Sequence, residues 1–280
     1  MKTKTKKNIR KLKRILIELS KELLSYRSTK IVLMAVFALV IIIIIVSVAS
    51  GSKKEEETQP ATEATVASTA LPTSYKISGV PVISQNTLKA GCEIYACTML
   101  LQYWDFDIDE MTFADNFLIT SPVFYGYGGE LYGPDMNCAY AGDVYTGYGI
   151  NAPAMAKCMN NYIKTTDSKL QAYPLSGVPL EELCEKYILD DKPVMCWETT
   201  YMDEPYVKTT WIVDYVDENA RYKKGDTESW MQNEHCMVLV GFDEENYYFC
   251  DSVSGKLTAY GKEVSEERYS QIGMQAIVVR

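Results

Sequence analysis

Gln85-Asn86-Thr87-Leu88-Lys89-Ala90-Gly91-Cys92-Glu93 decides how the rest of the chain is read, because it runs directly into the apolar segment Ile94 to Trp104. Ile94, Cys97, Thr98, Leu101 and Trp104 recur there at helical spacing. Gly91 would break a helix interior, so the pattern predicts a helix that begins at or beside Cys92. A thiol in a first helical turn sits among unpaired backbone N–H groups at the positive end of the macrodipole. Both favour the thiolate, the nucleophilic form, and the expectation is a lowered thiol pKa. Gln85, seven residues earlier, can return its amide N–H to an oxyanion formed at a carbonyl that Cys92 attacks. Taken alone, Cys92 reads more simply as a core thiol, since free cysteine is among the most buried residue types and the chain holds eight.

A nucleophilic thiol needs a base, and the chain has one histidine, His235. It precedes Cys236-Met237-Val238-Leu239-Val240-Gly241-Phe242, an apolar run of strand length. The turn signal Asp243-Glu244-Glu245-Asn246 follows, and then a second short strand, Tyr247-Tyr248-Phe249-Cys250, with Asp251 at its end. Pairing of these strands as a hairpin brings Asp251 toward the His235 end, where a carboxylate can fix the imidazole's tautomer and orientation. Each residue also has a plain reading: a structural histidine, a turn-forming aspartate before Ser-Val-Ser-Gly, an uninformative glutamine. The joint arrangement of Cys92, His235, Asp251 and Gln85 is what points to nucleophilic catalysis of the papain type.

Three ordered blocks of residues extend this. Val80-Pro81-Val82-Ile83-Ser84-Gln85 leads to Gly91-Cys92-Glu93 and Met99-Leu100-Leu101-Gln102-Tyr103. Gly142-Asp143, Gly147-Tyr148-Gly149 and Ala152-Pro153-Ala154 form a middle block, and His235 to Asp243 with Asp251 to Gly255 a closing one. Over residues 75–280 the chain resembles the papain-like cysteine peptidases related to the bacteriocin-leader-processing peptidases, in the branch of exported or membrane-anchored bacterial proteins. The resemblance implies Cys92 as nucleophile, His235 as base, Asp251 as orienting acid and Gln85 as oxyanion donor, with no cofactor. It also implies an α+β papain-like fold, a helical N-terminal half packed on a C-terminal antiparallel sheet. One departure is Asp251-Ser252, where the family usually has Asp-Pro.

The first thirty residues carry eleven Lys or Arg against Glu18 and Glu22. Ile15, Leu16, Ile17, Leu23 and Leu24 can give this leader an apolar face on an anionic membrane surface, and a solvated basic tail explains it as well. Nucleic-acid binding is not indicated, because no aromatic platform or binding fold accompanies the charge. Residues 31–50 are apolar and uncharged, enough to span a bilayer as one transmembrane helix in contact with lipid. The basic flank sets the N-terminus in the cytoplasm and the C-terminal domain in an extracellular position. A cleaved signal peptide is the rival, given Ser47-Val48-Ala49. Residues 51–73 have the composition of a disordered stalk. Setting aside the leader leaves 17 basic against 35 acidic residues, a formal net charge of −18, which disfavours anionic polymers as ligands.

Within the domain expected at 75–280, helices are predicted at Gly91 to Trp104, Asp109 to Phe117, Ala152 to Tyr162, Pro179 to Tyr187 and Ser265 to Ile272. Strands are predicted at Pro193 to Thr199, Trp211 to Tyr215, Cys236 to Phe242, Tyr247 to Asp251, Lys256 to Tyr260 and Gln275 to Val279. Thr120 to Ile150, where glycine alternates with tyrosine, reads as a long ordered loop that either lines a peptide groove or merely packs by its aromatics. The other seven cysteines lack the spacing of a disulfide framework or a zinc site and are expected to be mostly buried thiols. The expected function is a membrane-anchored cysteine peptidase acting on peptide or protein substrates. A cell-wall peptide amidase with the same residues and a non-catalytic peptide-binding or adhesion module are the alternatives.

Overall fold

A computed structural model describes residues 72–280. The predicted leader, transmembrane segment and most of the stalk lie outside the described residues, and among those described no helix is long and apolar enough to cross a membrane. The chain enters as β1 (Tyr75–Lys76) and then forms α1 (Cys92–Tyr103) and α2 (Glu110–Asn116). Four short strands follow, β2 (Thr120–Ser121), β3 (Phe124–Tyr125), β4 (Leu131–Pro134) and β5 (Tyr140–Ala141), and then α3 (Ala152–Ile163). Next come β6 (Ala172–Ser176), α4 (Leu180–Lys186), β7 (Val194–Thr199), β8 (Tyr206–Tyr215) and β9 (Thr227–Gln232). The chain closes with β10 (Glu234–Phe242), β11 (Asn246–Asp251), β12 (Lys256–Gly261), α5 (Lys262–Gln271) and β13 (Gln275–Val279). The fold is α+β.

The principal sheet runs β12-β11-β10-β7-β13-β6, antiparallel throughout, with β1 added against the far end of β10. β10 is its hub. It pairs with β7 from Glu234 to Leu239 and with β11 from Val238 onward, and α1 packs across it. β7 is buried along its whole length, which is why Val-Met-Cys-Trp-Glu-Thr shows no polar alternation. Residues 93–101 of α1 are likewise all buried, so this helix is apolar around its circumference rather than amphipathic. Gly241 stands where β1 crosses β10 closely: a Cβ there would lie 2.6 Å from the Tyr75 carbonyl oxygen and 2.9 Å from Lys76 Cα. The β10–β11 turn is tied by the Asp243 carboxylate, which accepts from the N–H of Glu245 (2.9 Å) and of Asn246 (2.7 Å).

The expected helices are present with small shifts. Asp109 caps α2 through the N–H of Thr112 at 2.7 Å, Pro153 lies in the first turn of α3, and Pro179 precedes α4 rather than opening it. α5 begins three residues earlier than expected, at Lys262. The expected loop Thr120 to Ile150 is corrected: it contains β2 to β5, and β3 and β4 join β8 and β9 in a second sheet ordered β3-β4-β8-β9. That sheet is anchored by buried Asp135, whose carboxylate accepts from the N–H of Asn137 (2.8 Å), Arg221 (2.6 Å) and Tyr222 (2.7 Å). Arg221 in turn pairs with buried Glu228 at 2.7 Å. β6 and β9 were not expected. All eight cysteines are free, seven of them buried and Cys92 half-buried.

Glu198 on β7 is fully buried, and neither carboxyl oxygen has a hydrogen-bond partner among the described residues. Burial, reinforced by the Glu266 carboxylate, pushes its pKa well above the ordinary glutamate range, so it is neutral in the fold. A carboxyl raised in this way contributes stability that is fully present below the unfolded glutamate pKa and is lost as pH rises through the raised value. Thermal melts of the full chain should therefore fall more steeply from about pH 5 to pH 8 for wild type than for Glu198→Gln, which cannot ionise. Parallel curves would show that Glu198 carries no such load.

Candidate active site

Cys92 opens α1. Gly91 precedes it as the cap residue without a side-chain bond, and the Gly91 carbonyl accepts from Ile94 N–H (2.9 Å) and Tyr95 N–H (3.1 Å). The N–H groups of Cys92 and Glu93, the first two residues of the helix, have no intrahelical acceptor. His235 lies inside β10 rather than before it, buried, and opposite Glu198 of β7. Asp251 ends β11. The observed register sets Cys250 against Val238, so Asp251 meets His235 diagonally across the ladder.

The His235 Nε2 to Asp251 Oδ1 distance is 2.7 Å, with both side chains buried. Burial alone raises the Asp251 pKa. The bond to His235, its charge, and the Ser254 and Val253 contacts outweigh this and hold the carboxyl below the usual range. An ionised carboxylate only accepts, so Nε2 carries the proton and Nδ1 is left as the basic nitrogen. The Asp-Ser sequence holds this geometry through the N–H of Val253, which donates to Asp251 Oδ1 at 2.9 Å.

Cys92, His235 and Gln85 line one cavity of about 330 Å³, together with Lys89, Ala90, Glu93, Tyr145, Thr146, Gly147, Tyr148, Thr200, Trp230, Glu234 and Val253. Asp251 stands behind His235 and does not line it. Gln85 is docked beside Asp251's strand end: its N–H donates to the Ser252 carbonyl at 2.8 Å, and its Oε1 accepts from Ser252 Oγ at 3.1 Å. Its Nε2 donates to the carbonyls of Leu88 (3.0 Å) and Lys89 (3.1 Å), so the amide faces the loop that leads into Cys92. Of the glycine-tyrosine segment, Tyr145 and Tyr148 reach the cavity. Tyr148 is wedged against Trp211 and Trp230 of the second sheet, at ring-centroid distances of 5.2 and 5.4 Å, whereas Tyr145 is half exposed. Tyr148 therefore both lines the cavity and packs by its ring, while Tyr145 lines it alone.

The expected lowering of the Cys92 pKa is corrected. Burial pushes the thiol well up, and the Glu93 and Glu234 carboxyls add to the rise, against a smaller opposing contribution from the Cys236 backbone N–H. The thiol donates to Glu93 Oε2 at 3.2 Å. Helix-terminus polarity is outweighed by acidic neighbours that the sequence pattern did not single out. Their signal was present: Glu93 is a charge inside an otherwise apolar helix, and Glu234 one at the head of an apolar strand.

Comparisons with known proteins place the chain in a family. The model of the Peptidase_C39 like family matches residues 77–277, a span that contains all four expected site residues. The uncharacterized protein YvpB of Bacillus subtilis strain 168 is 26% identical over 193 residues, covering 68% of this chain and 69% of that protein. The crystal structure of a C39-peptidase-like protein from Bacillus anthracis superposes with a TM-score of 0.60 at 26% identity, covering 74% of this chain and 97% of the other. With most of its length matched by one family model, the chain belongs to the Peptidase_C39 like family.

Proposed function

We propose that the protein is a cysteine peptidase that hydrolyses peptide bonds through Cys92, His235 and Asp251, with Gln85 as oxyanion donor. The observation that carries this reading is the buried 2.7 Å bond from Asp251 to His235, a histidine that lines the same cavity as a cysteine at a helix start. At rest the thiol is neutral. His235 Nδ1 takes its proton as the sulfur attacks the substrate carbonyl, giving a tetrahedral oxyanion. The Cys92 backbone N–H and a Gln85 amide proton, freed from the Leu88 or Lys89 carbonyl, stabilise that oxyanion. His235 then returns the proton to the leaving amine, and water, deprotonated by His235, releases the acyl group from the thioester. The loss of the Gln85 bonds is small against the charge-assisted bonds gained.

The apolar, uncharged segment 31–50 behind a basic leader supports a single-pass anchor with the peptidase domain outside the cell. A net charge of −18 beyond the leader suits basic or neutral peptide substrates rather than nucleic acid. This surface location distinguishes the protein from leader-processing peptidases of the cytoplasmic face, and processing of exported peptides or of a neighbour's peptides fits it.

Treatment of the full chain with iodoacetamide should label Cys92 alone, since the other seven thiols are buried, and His235→Ala should slow that labelling at least tenfold. Labelling spread over several cysteines, or indifferent to His235, would contradict the proposal. In a substrate screen, Asp251→Ala, which leaves His235 Nε2–H without its acceptor, should slow Cys92 labelling as His235→Ala does and lower peptide hydrolysis by about 10²-fold or more, because the imidazole loses its enforced tautomer. Unchanged turnover would remove Asp251 from the mechanism.

A further inference from the structure

Glu93 and Glu234 are absorbed by none of the steps above, yet both lie against the nucleophile. Cys92 Sγ and one carboxyl oxygen from each glutamate lie within 4.8 Å of one another. Glu93 is 1% exposed; its Oε1 accepts from Ile150 N–H at 2.9 Å, and its Oε2 accepts the thiol. Glu234 Oε1 is buried without a hydrogen-bond partner among the described residues. Gly149, at φ +127°, makes room for the pair: a Cβ there would lie 2.5 Å from Glu93 Oε1 and 3.5 Å from Glu234 Oε2. Two carboxyls this close, Glu93 buried and Glu234 half-buried, do not both ionise, and one of them retains a proton. Glu93 accepts from two donors, Ile150 N–H and the thiol, whereas Glu234 Oε1 has none, so the residual charge resides chiefly on Glu93.

Cys92 from α1, His235 and Cys236 from β10 and Tyr140 from β5 face the pair, and of these only the His235 imidazole opposes the rise in Glu93 by its charge, weakly beside burial. Tyr140 is occupied, donating to the Ala90 carbonyl. Lys89 lines the cavity, but its ammonium makes no ion pair among the described residues.

Resting on the cysteine-peptidase reading, we infer that Glu93 and Glu234 form a positioning pair with one negative charge between them, which holds the Cys92 thiol bonded to Glu93 and restrains the nucleophile until it turns to His235. Neutralising the pair should release it. The test is the pH profile of Cys92 alkylation by iodoacetamide in the full chain, with the site of modification mapped and folding followed by circular dichroism. Wild-type Cys92 should titrate above a free cysteine peptide. Glu93→Gln keeps an oxygen for Ile150 N–H, and the double variant Glu93→Gln with Glu234→Gln lets two amides bond each other. Both should move the profile to lower pH and speed labelling at pH 7 about tenfold or more. Profiles of folded variants that coincide with wild type, or a wild-type Cys92 that titrates below the free peptide, would overturn the inference. Failure of the underlying reading looks different: labelling of Cys92 would then be indifferent to His235→Ala in every background.

Discussion

A buried hydrogen bond between the one histidine and an aspartate on the neighbouring strand sets most of what this domain can do. Burying an imidazole and a carboxylate is costly unless each satisfies the other, and at 2.7 Å they do. The bond requires β10 and β11 to be paired in one register, which the Asp243 turn and the ladder from Val238 to Phe242 supply. The same strand, β10, carries Glu234 and Cys236 to the nucleophile and supports α1 from below. Shifting β10 by one residue would invert every side chain on it and dismantle the site at once.

Around that fixed pair, the electrostatics of the cysteine run against a preformed thiolate. The helix start offers its N–H groups, but buried Glu93 follows immediately in sequence and half-buried Glu234 arrives from the strand. Low local dielectric strengthens these carboxyl contacts relative to the diffuse helix dipole. A neutral thiol that must be deprotonated during attack follows from this balance. It places the demand for catalysis on the base, and therefore on the tautomer that Asp251 enforces.

The hairpin and the nucleophile's helix were legible in the sequence because their signals are local. His235 to Phe242 is an unbroken apolar run closed by Asp-Glu-Glu-Asn, and Gly91-Cys92 interrupts before a helical repeat. Of the second sheet, only Trp211 to Tyr215 of β8 was legible. Its strands β3 and β4 are two and four residues long, rich in glycine and tyrosine, and β4 finds its parallel partner β8 some eighty residues later. Tertiary packing of Tyr148 on Trp211 and Trp230, rather than any strand pattern, organises that region. The thiol's environment was misjudged for a related reason: Glu93 and Glu234 are 141 positions apart in the chain, and no local pattern announces that they meet.

Because the chain has a single histidine, one nucleus reports on the central claim. Ring-¹⁵N-histidine labelling gives two imidazole nitrogen resonances that belong to His235 without ambiguity. The account predicts a proton on Nε2, bonded to Asp251, an unprotonated Nδ1, and a change at Nδ1 when Cys92 is carbamidomethylated. A proton found on Nδ1 instead, or ring nitrogens that ignore modification of Cys92, would contradict it.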